Sequence, residues 1–129
     1  MPCTTTWEDK GVYARFFGEC SIGDVVKVFR AISGDARLDL ARFAIFDYLA
    51  VTTHDVTEPE IEEAAAFDIG IAFTNPRLSF ASVTTDERIR ELWQHFISVN
   101  VKTERHAIFA TVAEARAWLA GRMEPGATS

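Results

Sequence analysis

Asp47, His54 and Asp55 come nearest, by type and spacing, to a chemical site in this chain. They fall within nine residues, at the end of the apolar run Arg42–Val51 and in the polar stretch Thr52-Thr53-His54-Asp55 behind it. Two carboxylates flanking an imidazole are what an acid–base pair or a metal site requires. Three such residues in a short window also arise by chance, and polar loop residues are the better-supported reading. Thr84, Thr85 and Asp86, at the exit of the next strand, would line the same crevice, and they equally have the composition of a helix cap. His95 and His106 lie far away in sequence. The chain has no Gly-rich phosphate loop, no Ser nucleophile elbow and no H-E-x-x-H. Cys3 and Cys20 follow no metal or redox spacing and read as free thiols. The expectation is a protein that is not an enzyme and that uses no cofactor and no metal.

A strand must present these residues, and Arg42–Val51 supplies it. Four of its first five residues are apolar, and then a carboxylate appears. A short apolar run closed by polar residues marks a strand covered on both faces. The acidic, proline-containing segment after it opens a helix. In open α/β sheets, ligands and partners dock at the carboxyl end of such a strand. Asp47, Tyr48, Thr53, His54 and Asp55 are therefore candidate binding residues, with Thr84 and Thr85 beside them.

The remaining elements follow from periodicity. Thr4–Glu8 and Val12–Gly18, around Asp9-Lys10-Gly11, read as a hairpin whose second strand is apolar on both faces and so internal. Ser21, with Asp24 three residues on, caps a helix whose core side is Ile22, Val25, Val26, Phe29 and Ile32. Gly34 is placed to end it in a left-handed cap, and 35–41 read as a loop. Thr57-Glu58-Pro59-Glu60 has capping-box spacing, with Pro in the first turn of a second helix. From Ala64 to Phe73 that helix is apolar nearly all round. Its narrow face of Ile61, Ala64, Ala65 and Ala72 also carries Asp68, for which Arg15, Arg42 or a free backbone N–H would be a partner. One sheet cannot cover so wide an arc, so a neighbouring helix, a second subunit or an apolar ligand must cover the rest. Phe67 and Ile71, with Trp93 and Phe96 of the next helix, are the candidate surface for that.

Asn75-Pro76 breaks the helix, and Leu78–Val83 is a strand. Thr84 to Glu87 open a third helix with Ile89, Leu92, Trp93, Phe96 and Ile97 on one side. Residues 104–110 read as the last strand. Thr111 to Glu114 begin a fourth helix, which Gly121 stops, and 122–129 read as a loose tail. The sum is one α/β domain over 1–129, ordered over about 4–121. Its sheet is mainly parallel, of four or five strands, with an N-terminal antiparallel hairpin and four flanking helices.

The bulk properties narrow the function. The 129 residues are 48% apolar, with ten Phe and three Trp, enough for a core. No apolar run approaches 18 residues, and the first residues lack the basic and apolar regions of a signal peptide, so the chain reads as cytoplasmic. Of the net charge of −6, the interval between Arg42 and Arg77 carries −7, and the rest of the chain is nearly neutral at +1. An acidic face of this kind repels phosphate backbones and anionic lipid heads. Arg88 and Arg90 are too few, without interleaved aromatics, for nucleic-acid binding.

Gly11-Val12, Arg15-Phe16 and Gly18 form one set of distinctive residues, and Phe46-Asp47-Tyr48, Glu60-Ile61, Asn75-Pro76, Ala81 and Val83 a second. With Ile108-Phe109 and Glu114-Ala115-Arg116-Ala117-Trp118-Leu119, the chain resembles the small bacterial SpoIIAA-like proteins over residues 7–120. These belong with the STAS and Sec14-like (CRAL-TRIO-like) folds. The resemblance implies a four- or five-stranded sheet with four helices and no enzyme activity. True anti-sigma-factor antagonists of this fold carry a phosphorylatable serine in an Asp-Ser pair, at the start of the helix after the central strand. This chain has no such pair, only Thr52, Thr53 and Thr57 among Asp55 and Glu58. The function expected is a non-enzymatic protein-interaction or regulatory module acting as a homodimer. The alternative, from the Sec14-like side of the resemblance, is a carrier of a small apolar or lipid ligand that touches membranes peripherally.

Overall fold

The computed structural model describes residues 3–100 and 103–123. Its elements are β1 (Cys3–Glu8), β2 (Gly11–Cys20), α1 (Ile22–Ser33), β3 (Phe43–His54), α2 (Glu58–Thr74), β4 (Ser79–Val83), α3 (Glu87–Ser98), β5 (His106–Phe109) and α4 (Val112–Met123). Single 3₁₀ turns at Ala36–Leu40 and Thr103–Arg105 lead into β3 and β5. The strands stand in the order β1-β2-β3-β4-β5. β1 and β2 pair antiparallel, and every later pairing is parallel. This is the mainly parallel α/β sheet with an N-terminal hairpin that the sequence predicts.

Strand order decides where the helices go. From β2 to β5 the sheet advances in one direction, so right-handed crossovers put α1, α2 and α3 on the same face. α2 lies between α1 and α3 and packs on both, while α4 packs against β3, β4 and β5. Two cores result. The larger, under the three helices, holds Phe16, Phe29, Phe46, Phe80, Trp93 and Phe96. The smaller, under α4, holds Phe43, Ile45, Ala81, Val83, Ala115 and Leu119. The wide apolar arc of α2 therefore meets neighbouring helices along most of its width. Ile61, Ala64, Ala65, Ile71 and Ala72 are buried, and Phe67 is half-buried beneath the Arg30 guanidinium, 5.6 Å from its ring centroid. What faces out is the stripe Ala66, Gly70 and Phe73, the last 85% exposed.

Capping follows the sequence closely. Ser21 with Asp24, and Thr57 with Glu60, form reciprocal capping boxes, and Asp86 caps α3. At the start of α4, Thr111 Oγ1 accepts from the Glu114 amide at 3.1 Å. Several boundaries differ from expectation: residues 104 and 105, read as the start of the last strand, lie in the 3₁₀ turn before it, and β2 runs on past Gly18 to Cys20. Gly34 ends α1 with φ −90°, not left-handed. The stretch 52–54, read as a turn, stays in β3 because Glu19 and Cys20 of β2 pair with Thr53 and His54. Gly121 does not stop α4: Arg122 donates to Ser79 Oγ at 2.8 Å and stacks on Trp118 at 4.8 Å, which holds the last turn down. Residues 124–129 of the expected tail lie outside the described residues.

Two glycines are dictated by geometry. A Cβ on Gly11 would lie 2.5 Å from ring atoms of Phe43, its partner in register across β2 and β3. Gly18 takes φ +67°, a region that costs other residues about 1–2 kcal/mol. It sits where β3 carries an extra residue opposite β2: Gly18 pairs with Val51, but Glu19 pairs with Thr53.

Candidate binding site

β3 is longer than its neighbour. It pairs with β4 only as far as Asp47 opposite Val83, while its pairing with β2 continues to Cys20 opposite His54. Among the described residues, the last turn of sheet is thus a two-stranded parallel overhang. No reversal of strand order opens a crevice here, as it does in doubly wound sheets. The overhang makes the crevice instead, between the ends of β2 and β3 and the N-termini of α1 and α2. Asp47 closes the edge where β4 stops: its Oδ1 accepts from the Leu49 amide at 2.9 Å, and Tyr13 Oη donates to its Oδ2.

The crevice has two connected parts. An outer cleft of about 620 Å³ is lined by Glu19, Cys20, Ser21, Asp24, Thr53, His54 and Asp55. Beside it lies a narrow, almost wholly apolar throat of about 20 Å³, walled by Val51, Val56, Ile61, Leu92 and Trp93 together with Tyr48 and His54. Cys20 and His54 border both parts. Tyr48 is 4% exposed, and its Oη and His54 Nδ1 are both sealed from solvent. Burial holds the Tyr48 hydroxyl well above the usual phenol range, the nearby Cys20 thiol raises it further, and a hydrogen bond with the Trp93 side chain pulls the other way. Burial, then Asp24 and Cys3, pushes the Cys20 thiol up to about 12. It stays protonated and is no nucleophile at neutral pH.

The candidate residues separate into three groups. Tyr48, Thr53, His54, Asp55 and Trp93 border the crevice. Asp47 does not join His54 and Asp55, because its carboxylate lies on the α4 side of the sheet with Tyr13. Among the described residues, no group of three or more His, Cys, Asp or Glu is placed to hold a metal. Thr84 is buried, its amide donating to Phe109 O at 2.9 Å and its Oγ1 accepting from the Asp86 amide at 3.0 Å, and Thr85 is exposed next to it. Ile71 and Phe96 are shielded by the protomer's own atoms, at 1% and 2% exposure. Glu19, Cys20 and Asp24 of the cleft were not picked out from sequence. The parallel register that sets Cys20 opposite His54 was the missing signal.

A second polar cluster sits inside the molecule. Asp68 is completely buried, and its partners are neither Arg15 nor Arg42. His106 Nε2 lies 2.8 Å from Asp68 Oδ2, and Arg105 Nη2 lies 3.6 Å from Oδ1. Arg105 also donates through Nη1 to Leu78 O at 2.7 Å, and the His106 ring stacks on Phe80 with centroids 5.5 Å apart. The chain brings β5 to the inner face of α2, across 37 residues, and the pair locks the two together.

No family model matches the chain, and no curated protein sequence does. Its architecture is that of the STAS fold, shared with solved anti-sigma factor antagonists. SpoIIAA in its unphosphorylated form superposes with a TM-score of 0.57 at 15% identity, over 92% of this chain and 96% of that one. An anti-sigma factor antagonist from Mycobacterium paratuberculosis superposes with a TM-score of 0.52 at 15% identity, over 92% and 94%. The SpoIIAA-like fold read from the sequence is thereby shown. No described helix is long and apolar enough to cross a membrane.

Proposed function

We propose that this protein is a non-enzymatic regulatory module that docks a partner protein on the β2–β3 overhang and the acidic first half of α2. The observation that carries the reading is the free edge of β3. Beyond Leu49, whose amide Asp47 takes, no described strand lies alongside as far as Thr53; Leu49 is 45% exposed, and Thr52 and Thr53 face solvent. Exposed Asp55, Glu58, Glu62 and Glu63 follow directly. An open strand edge beside an acidic surface suits an extended basic segment, which gains backbone hydrogen bonds from the edge and orientation from the charge. Two solved proteins similar in fold are anti-sigma factor antagonists, so a protein of the anti-sigma-factor class is the first partner to try.

A photo-crosslinking residue at Thr52 tests this. The expected product is one defined partner joined through a basic peptide, lost when Asp55, Glu58 and Glu63 are changed together to Lys. A crosslink pattern unaltered by that triple change would sink the docking surface. The homodimer belongs to the same reading: a second copy would cover Ala66, Gly70 and Phe73, and Phe73→Glu would then shift sedimentation from dimer to monomer. The lipid-carrier alternative lacks comparable support, because the throat encloses about 20 Å³, against several hundred for a ligand pocket.

A further inference from the structure

Phe73 is the most exposed large apolar side chain among the described residues, at 85%. It ends a stripe on α2: Glu63, Ala66, Gly70 and Phe73 recur at three- and four-residue steps, so they share one side of the helix, and all four are exposed. The opposite face of the sheet has a hollow to match. There α4 packs on β3, β4 and β5 and leaves the neighbouring half of the face, on β1 and β2, largely bare. Thr4, Thr6 and Arg15 are exposed on it, and Tyr13 and Phe17 are half-buried. Where this bare half meets α4, Glu8, Phe43, Arg116, Leu119, Ala120 and Met123 line a groove of about 220 Å³. Its two charged residues are bonded to each other, Arg116 Nη1 and Nη2 donating to Glu8 at 3.0 and 2.7 Å, and the rest of the lining is apolar. A cavity of roughly 150 Å³ holds a benzene ring, so the groove has room for a phenyl side chain. The charges match as well. Arg15 lies over the Phe17 ring at 5.4 Å, and its register partner Asp47 is taken by Tyr13 and Leu49. Among the described residues no carboxylate pairs with Arg15.

We infer that α2 of one copy of this chain docks on the bare half-face of the next, with Phe73 in the groove beside α4 and Glu63 on Arg15. The spacings agree. Gly11 pairs with Phe43 of the groove, and Arg15 stands four residues further along β2, about 13 Å at roughly 3.3 Å per residue. Glu63 stands ten residues before Phe73, about 15 Å at roughly 1.5 Å per residue of helix. A helix lying antiparallel to β2 therefore reaches both points at once and lays Ala66 and Gly70, which have little bulk, across Tyr13. The phenyl ring is the anchor, and the ion pair at the rim sets orientation. This rests on the second copy proposed to cover Ala66, Gly70 and Phe73, and it names the surface which that copy brings. The contact is heterologous, because Phe73 and the groove lie on opposite faces of the sheet and two copies cannot satisfy both pairs. A dimer is then the shortest member of a head-to-tail series.

Sedimentation of the full chain at rising concentration, with variants on each side of the contact, provides the test. Wild type should grow from monomer through dimer to longer species. Phe73→Glu and Ala120→Glu, both at exposed positions, should each leave monomer only, the second by setting a charge in the groove. An equimolar mixture of these two variants should form dimer and stop there, since one supplies an intact groove and the other an intact Phe73. That recovery also shows both variants to be folded. Arg15→Glu should weaken association severalfold, and Arg15→Glu combined with Glu63→Arg should restore it. A mixture that stays monomeric overturns the inference. Dissociation by Phe73→Glu but not by Ala120→Glu keeps the second copy on α2 and removes the groove as its seat. Wild type that stays monomeric up to about 1 mM, the range of a weak contact, removes both. The Thr52 crosslink reports separately on the partner-docking surface.

Discussion

Among the described residues, two groups of buried polar side chains, Asp68 with Arg105 and His106 and Tyr48 with His54, differ in what surrounds them. At the Asp68–Arg105–His106 cluster, opposite charges face each other inside packed aromatic rings, and Asp68 and the Arg105 and His106 side chains are 0–4% exposed. Tyr48 and His54 instead wall a small apolar hollow next to an acidic cleft, with no carboxylate or guanidinium among the hollow's lining residues. The first arrangement compensates charge internally and can serve only to fix α2 on β5. The second has no such opposed pair of charges and rests on packing against Trp93. Buried polarity marks a lock where opposite charges meet, and a softer seam where they do not.

The largest effect should come from breaking the lock. Asp68→Ala strands the Arg105 guanidinium without its counter-charge and should cost about 3–5 kcal/mol in urea unfolding. A loss under 1 kcal/mol would show that water reaches the cluster and would erase the contrast. Asn75 offers a closed but fully paired reference: its Nδ2 donates to Leu38 O at 2.7 Å and to Ala41 O at 2.6 Å. Asn75→Ala should cost about 1–3 kcal/mol, between the two extremes. Tyr48→Phe should cost at most about 1 kcal/mol, because the hydroxyl it deletes has only the Trp93 side chain to bond. A loss of about 2 kcal/mol would mean that Oη has a further partner in solution.

The smallest effect concerns alkaline pH. Burial, then the hydrogen bond to Asp47 and that residue's charge, raises the Tyr13 phenol to about 12. The folded value lies above the unfolded value near 10, so this contribution is complete below pH 10 and is lost as pH rises from there toward 12. Tyr13→Phe should flatten the stability profile in that window. A profile identical to wild type would show that Tyr13 ionises freely. Glu8 moves the other way, lowered by its hydrogen bond to Arg116, with burial opposing. Its stabilisation is present above the unfolded carboxylate value and fades as pH falls through the folded one. Exposure on both sides of that pair keeps it small.

Much of the fold was legible because it is written in local patterns. The capping boxes at Ser21 and Thr57 start α1 and α2 where expected, and the apolar run after Arg42 is the central strand. The candidate site was legible only in part. Tyr48, Thr53, His54 and Asp55 border the crevice, but Glu19, Cys20 and Asp24 reach it through pairing that no local spacing announces. Asp68 announced itself as a buried carboxylate, yet its partners lie 37 and 38 positions away.

By itself, the sequence determined the elements, the acidic character of the interval after Arg42, and the SpoIIAA-like order of strands and helices. It could do so because helix caps, apolar periodicity and net charge depend on neighbours within a few positions. Only the tertiary structure decided that α1 and α3 would cover α2, that β3 would outrun β4, and that Asp68 would meet Arg105 and His106. Those outcomes depend on strand order and register, which are set by the packing of the whole chain.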